Sequence, residues 1–295
     1  MLNQNFSQNR PRIIFFGNGK LADYALAVLE KYVELVFHAR TKEDLEKVKA
    51  IKAGFNLSNA MVAQDGLQKA QPVKSERIYG VLASFGVMIK EDVLKLFEPE
   101  GILNIHPSLL PKYRGASPIE SAILAGDTDF SVSVMKLVKA MDAGPVYFQE
   151  TFSDLPLQKD EIYKVLAEAG AEWIGTHIAR VPDGSATVLP KPRPQEGEPS
   201  FTSKLDKSMS VLDPTTDTTA QLYRKIVAYQ DFPKPKYAFY GQNCIILEAK
   251  PLRPGETAPL MLTGRDGANL AILRLQPEGR KPMDAQSFLN GYAKK

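Results

Sequence analysis

Apolar residues along the first half of the chain come in short blocks, and each block has a readable period. Arg12–Gly17 (RIIFFG) is an apolar run ending in glycine, which predicts a buried strand entering a turn. Leu21, Tyr24, Ala25, Val28 and Leu29 recur at helical spacing. Val33–Phe37 is a second apolar run. Thr41 then opens a helix, with Asp44 three residues on in capping-box position. Leu45, Val48 and Ile51 form its stripe, and Gly54 stands where a C-terminal cap belongs. Tyr79–Ser84 and Gly101–Ile105 predict further buried strands, with a short helix over Lys90–Phe97 between them. Strand and helix alternate about every twenty residues, the signature of an α/β fold with a Rossmann-like, mostly parallel sheet.

The second half reads differently. Phe130–Val138 alternates and predicts a strand, antiparallel in this setting, and Pro145–Phe152 predicts another. Glu161–Ile178 has a helical pattern that ends before the turn Pro182-Asp183-Gly184. Pro190–Ser200 (PKPRPQEGEPS) is rich in proline and has no apolar period, so it reads as an extended linker. Beyond it come a helix over Thr218–Ala228 and short strands at Lys236–Phe239, Asn243–Lys250, Leu260–Thr263 and Asn269–Leu275. Short strands joined by Gly and Pro turns predict a small barrel. The expected division is a first domain over 1–189, a linker over 190–206 and a second domain over 207–295.

Composition narrows the class. The chain has 295 residues, 44% of them apolar and 24% charged. That is close to the globular average and excludes a disordered tail, a collagen or a low-complexity chain. No apolar run reaches the ~18 residues of a membrane span. The start of the chain (MLNQNFSQNRPR) has no apolar stretch of signal-peptide type, so a cytoplasmic protein is expected. Cys244 is the one cysteine and His38, His106 and His177 are the histidines. Neither an intrachain disulfide nor a Cys- or His-rich metal site is expected. The net charge of +3 divides into −2 over residues 1–189 and +5 over 190–295. That asymmetry fits a polyanionic partner for the second part, and equally fits chance and a Lys-Lys tail.

Candidate chemistry clusters at two places. Gly17-Asn18-Gly19-Lys20-Leu21-Ala22 fits the dinucleotide fingerprint G-x-G-x-x-A, with Arg40 placed for a 2′-phosphate. The fingerprint alone is a weak signal, and the alternative is a tight, ligand-free turn. Asn104 and His106 stand two apart on a predicted strand and so share a face. An amide donor can hold a developing oxyanion, and an imidazole can move a proton near neutral pH. Asp142, in the turn-like Met141-Asp142-Ala143-Gly144, is the carboxylate best placed in sequence to orient that imidazole. The alternative is a capping Asn, a surface His and a turn Asp. Pro107–Gly115 is long enough to fold over a pocket, and its Leu109 and Leu110 either pack beneath it or line an apolar slot. Trp173 lies in a helical stripe and reads as core.

Asn104–Pro111 (NIHPSLLP), Tyr113-Arg114-Gly115-Ala116 and Met141-Asp142-Ala143-Gly144-Pro145 resemble the signature of folate-dependent formyltransferases. Gly80–Ile89 (GVLASFGVMI) resembles that family's folate-pocket segment. Phe201–Leu205, Leu222–Tyr229 and Leu275–Gly291 resemble the branch that formylates methionyl-tRNA. The resemblance implies an enzyme of formyltransferase fold with a C-terminal oligonucleotide-binding (OB)-like barrel. It implies formyl transfer from 10-formyltetrahydrofolate, without a metal, to the α-amine of methionyl-initiator tRNA. It places catalytic roles on Asn104, His106 and Asp142. It places folate contacts on Ser84, Phe85, Gly86 and Val87, and on Ser108, Leu109, Leu110 and Pro111. It also implies a monomer. Alternatives are a formyltransferase acting on a small amine such as an amino sugar nucleotide, an NADP-dependent oxidoreductase, and a non-catalytic tRNA-binding derivative.

The chain departs from the family's pattern in three places. Gly17-Asn18-Gly19 replaces Gly-Thr-Pro. His38-Ala39-Arg40-Thr41 runs straight into a helix where the family usually inserts an Arg/Lys/Gly-rich loop that contacts the tRNA acceptor end. Val227-Ala228-Tyr229 lacks a usual arginine, and Asp231-Phe232 replaces a usual Pro-Trp pair. The formyl chemistry is untouched by these changes, so the expected difference lies in how the acceptor is read.

Overall fold

A computed structural model of the chain describes residues 10–64, 78–178 and 189–293. Its elements begin with β1 (Arg12–Gly17), α1 (Lys20–Leu29), β2 (Glu34–Ala39), α2 (Asp44–Gln64), β3 (Ile78–Ala83), α3 (Glu91–Leu94) and β4 (Ile102–His106). Next come β5 (Arg114–Gly115), α4 (Pro118–Ala125), β6 (Phe130–Lys136), β7 (Val146–Phe152), α5 (Lys159–Ile178) and β8 (Phe201–Thr202). The chain finishes with α6 (Thr219–Ala228), β9 (Lys236–Phe239), β10 (Gln242–Pro251), β11 (Met261–Thr263), β12 (Asn269–Pro277), β13 (Met283–Asp284) and α7 (Ala285–Tyr292). Two compact units emerge. The first comprises Met1–Ala116, Asp129–Leu155 and Asp160–Phe201; the second comprises Ser117–Thr128, Pro156–Lys159 and Thr202–Lys295.

The first unit is built on a sheet of order β2-β1-β3-β4-β6-β7. β1, β2, β3 and β4 pair in parallel, as the alternation of elements predicts. β6 and β7 are antiparallel, as expected for the Phe130 segment. The strand order turns at β1, which has β2 on one side and β3 on the other. Ile14, Phe16 and Ile102 cluster with Leu45 and Val48 of α2 and Val93 of α3 on one face. Each such side chain, fully buried, contributes ~1.5–3 kcal/mol. The opposite face is so close to α5 that a Cβ added at Gly170 would sit 2.7 Å from Ile105 Cγ2. Ile105 therefore points to the α5 side, and its neighbours Asn104 and His106 point the other way.

Two expectations need correction. Gly54 does not end α2, which continues to Gln64. A glycine costs a helix about 1 kcal/mol without forcing it to stop. The β2–α2 connection opens with an Asp44 carboxylate that accepts from the Arg40 and Thr41 backbone N–H groups, at 2.9 and 3.0 Å. The helix therefore starts at Asp44 rather than Thr41. The pattern also gave no element to Pro118–Ala125 or Ala285–Tyr292, and both are helices. The turn expected at Pro182–Gly184 lies outside the described residues.

In the second unit, β11-β12-β10-β9 with β13 on β12 form an antiparallel sheet that curls into a half-barrel. Its core joins Leu222 and Ile226 of α6 to Cys244, Ile246, Leu270, Leu275 and Phe288. α6 starts with a reciprocal capping box between Thr218 and Gln221. A buried charge cluster lies in the same unit. Lys159 Nζ is 2.9 Å from Glu120 Oε1 and donates to Ala228 O at 2.9 Å. Among the described residues, no helix is long and apolar enough to cross a membrane.

Candidate active site

β4 carries Asn104 and His106 on one face, and both are buried. The β4–β6 register sets Asn104 opposite Met135 and His106 opposite Ser133. His106 Nε2 lies 3.0 Å from the Tyr113 carbonyl oxygen. A carbonyl only accepts, so that contact assigns a proton to Nε2. The other nitrogen, Nδ1, is 3.7 Å from Asp142 Oδ2. The same Oδ2 accepts from the Gly115 backbone N–H at 2.8 Å. Asn104 and His106 thus share one face of β4, and Asp142, distant in sequence, is brought beside His106 within the first unit.

Asp142 takes an unexpected route there. Leu137 N donates to the carbonyl of Ile102, the first residue of β4, so the β6–β7 loop leaves the sheet at that strand's amino end. Asp142 nevertheless reaches His106, the last residue of β4. The fold-back demands glycine: a Cβ added at Gly144 would lie 1.8 Å from Lys136 O. Asp142 itself has φ of +45°, in the left-handed region.

The Pro107–Gly115 segment is pinned from two sides. Ser108 is buried, and its hydroxyl donates to Lys112 O at 2.6 Å. The Ser133 hydroxyl donates to Ser108 O at 2.6 Å and accepts from Leu110 N at 3.1 Å. The Gln149 amide donates to Leu110 O at 2.8 Å. Leu110 is buried against Met135 and Val146, so it packs beneath the loop. Leu109 is 44% exposed and is the leucine of the pair open to a ligand. Pro111 is half-buried, and its carbonyl accepts from Ser200 N at 3.2 Å.

Ser84–Val87 follows β3. Phe85 is core, edge-on to Phe16 with ring centroids 5.7 Å apart. Ser84 and Gly86 are exposed at positive φ, and Val87 is half-buried. Ser84 and Gly86 are therefore the accessible residues of this turn.

The Gly17–Ala22 turn has a packing explanation. A Cβ at Gly17 would lie 2.7 Å from Ala22 Cβ and from Ala83 O. Lys20 pairs with Asp160 at 3.0 Å, which pulls the Asp160 carboxyl below the usual carboxylate range. Arg40 Nε donates to His38 Nδ1 at 3.4 Å, and His38 Nε2 meets Gly17 O at 3.0 Å. Only Arg40 to Glu43 lie between β2 and α2, so the connection is as short as the sequence reads. Trp173 is half-buried, stacked between Phe148 at 5.6 Å and His177 at 4.1 Å.

Sequence reasoning missed Ser133, Gln149, Arg193 and Gln195, which hold the loops around the site. A serine inside the apolar run of β6 was the available signal for Ser133. The other three sit at half-exposed or linker positions without a pattern.

Comparison with known proteins decides the class. Residues 26–178 match the family described as Formyl transferase, and residues 204–293 match Formyl transferase, C-terminal domain. The chain belongs to the formyl transferase family. A methionyl-tRNA formyltransferase of Carboxydothermus hydrogenoformans is 30% identical over 305 residues, covering 95% of this chain and 96% of its own. A solved methionyl-tRNA formyltransferase from Clostridium thermocellum has the same fold, with a TM-score of 0.60, 15% identity and coverage of 93% and 99%. HypX from Aquifex aeolicus, solved in complex with tetrahydrofolic acid, superposes at a TM-score of 0.65 with 19% identity. It covers 96% of this formyltransferase and 47% of HypX. Formyl transfer, rather than hydride transfer, is therefore the chemistry in which these residues are to be read.

Proposed function

We propose that the chain transfers a formyl group from 10-formyltetrahydrofolate to the α-amine of methionyl-initiator tRNA. The observation that carries the proposal is the convergence of Asn104, His106 and Asp142 in a chain that matches a methionyl-tRNA formyltransferase along nearly its whole length.

The amine nitrogen attacks the formyl carbon, and the carbonyl oxygen becomes an anion. The C–N bond to the folate N10 then breaks, and the proton lost by the amine balances the charge left on N10. Asn104 offers an amide donor to that oxygen, and one such donor lowers a barrier by about 3–4 kcal/mol. The His106–Asp142 pair takes the amine proton and passes it towards the leaving nitrogen. The 3.7 Å between Nδ1 and Oδ2 exceeds a direct hydrogen bond, so the proton is proposed to pass through a water or the amine touching both atoms from the side. The exposed Leu109 and the Ser84–Val87 turn are the groups proposed to meet the folate, with Phe85 anchoring the turn in the core and Ser108, Leu110 and Pro111 shaping the loop behind Leu109.

The second unit is proposed to hold the tRNA. Residues 190–295 carry the +5 balance, and Lys234, Lys236 and Arg253 are exposed there. No inserted loop follows β2, so acceptor reading falls to such residues. The deciding experiment is formylation by the purified protein with 10-formyltetrahydrofolate, comparing charged initiator with charged elongator tRNA. Preference for the initiator supports the proposal. Activity on an amino sugar nucleotide with none on charged tRNA overturns it. Binding to the initiator should also weaken with salt, with a slope of about −0.7 to −0.9 per phosphate contacted.

A further inference from the structure

The two segments that carry the partners of His106 are joined to each other by one residue outside the site, Gln195. It lies in the proline-rich stretch that reads as a linker. That stretch is docked along the first unit. Arg193 exchanges backbone hydrogen bonds with Val146 at 2.7 and 2.9 Å, and Ser200 O accepts from Arg114 N at 2.8 Å. Between these anchors Gln195 is half-buried while Pro194 and Glu196 are exposed.

Its amide is fully used. Nε2 donates to Asp142 O and to Gly144 O, both at 2.8 Å. Oε1 accepts from Arg114 Nε at 3.0 Å and from Arg114 Nη2 at 2.6 Å. Two carbonyls on one side and a guanidinium on the other fix which end is oxygen and which is nitrogen. The two segments joined in this way each supply a partner to His106. One carries the Asp142 carboxylate. The other carries the Tyr113 carbonyl, with Arg114 next in sequence and Gly115 N bonded to Asp142 Oδ2. Asp142 also needs outside support, because a non-glycine residue at φ +45° sits in a sparsely populated region.

We infer that Gln195 is a positioning residue for the transfer reaction: its amide clamps the Asp142 loop to the Arg114 segment and so sets the spacing of the His106–Asp142 pair. Only a side-chain carboxamide, that of glutamine or of the one-methylene-shorter asparagine, offers two donors and two acceptor sites in one plane, so the requirement is for the amide itself. The inference rests on the functional reading above.

The test uses Gln195→Glu and Gln195→Met in the full chain. Glutamate keeps the acceptor for Arg114 and loses the donors; methionine loses both. In steady-state formylation, kcat should fall about 10- to 100-fold in both variants, the scale of a catalytic group misplaced by ~1 Å. KM for folate and tRNA should stay within about twofold, and Gln195→Glu should keep the wild-type melting temperature. A kcat within about twofold of wild type in Gln195→Glu overturns the inference. So does a loss that disappears once rates are scaled to folded protein. A second readout needs no turnover. The chain has three histidines, so its imidazole proton spectrum holds three Hε1 signals to assign. Gln195→Glu should move the His106 signal and leave those of His38 and His177 in place; an unmoved His106 signal counts against the clamp. If the wild type formylates another amine instead, the tRNA reading falls alone, and the same variants are compared on that amine.

Discussion

His106 Nδ1 and Asp142 Oδ2 stand 3.7 Å apart, and each is already tied to the backbone of the same short segment, His106 to Tyr113 and Asp142 to Gly115. One backbone segment therefore holds both groups, and the imidazole nitrogen that faces the carboxylate is Nδ1. Asp142→Asn keeps the size and an acceptor for Gly115 N while removing the charge that faces the imidazole. It should lower kcat by about 10²–10⁴, the usual contribution of a positioned acid–base group. Thermal unfolding should change little. Steady-state kinetics beside a melting curve check this. A kcat near wild type would remove Asp142 from the proton path.

The oxyanion-donor role proposed for Asn104 carries a different expected signature. An amide that meets only the developing oxyanion stabilises the transition state and not the bound substrate. Asn104→Ala should cost about 10²–10³ in kcat, or roughly 3–4 kcal/mol, with KM for both substrates nearly unchanged. A variant that raises KM and spares kcat would make Asn104 a substrate-binding group instead.

How far the sequence carried these conclusions depends on where each residue's signal lies. Asn104 and His106 were legible because period-two alternation in a strand is local, so their shared face followed from spacing alone. The parallel sheet was legible because short apolar runs alternate with helical stripes about every twenty residues. Asp142 could be named as a turn carboxylate, but its path to His106 was not readable, because it depends on the long-range contact of Leu137 with Ile102. Gln195 was invisible. It sits among prolines, and its four hydrogen bonds reach residues more than fifty positions away. The short helix α4 had a proline at its start and Gly126 in the left-handed region at its end. Its eight residues were too few to display a period. Gly54 misled in the opposite direction, since a glycine with open space around it permits a helix end without requiring one.

Gly144 ties the fold to the site. Alanine there would place its Cβ 1.8 Å from the Lys136 carbonyl, and that obstacle is backbone, which has no side-chain rotamer to yield. Either the β6–β7 loop or the edge of β6 must shift. Gly144→Ala should destabilise the protein by about 3 kcal/mol or more, at the upper end of overpacking. It should also displace Asp142, two residues away, so the activity lost should exceed the share of unfolded protein. Urea unfolding combined with the formylation rate of the folded fraction checks both statements. A variant with wild-type stability would mean that the loop has room the geometry denies.

Cys244 gives the second unit its own pH response. The thiol is 2% exposed, and burial pushes it up to about 11 from a usual value near 9. Between those values the folded chain keeps a proton that the unfolded chain has lost. The folded state then binds more protons, so stability falls as pH rises through this window and is unaffected by this group below pH 9. That rise corresponds to roughly 2–3 kcal/mol by pH 11. Lysines and tyrosines titrate in the same range, so wild type must be compared with Cys244→Ala. The difference in unfolding free energy between them should be flat from pH 7 to pH 9 and shrink above it. A thiol-reactive probe at pH 8 should label the native chain slowly and the urea-unfolded chain fast. Rapid labelling of the native protein would show that the half-barrel opens around β10, and that Cys244 does not report on a closed core.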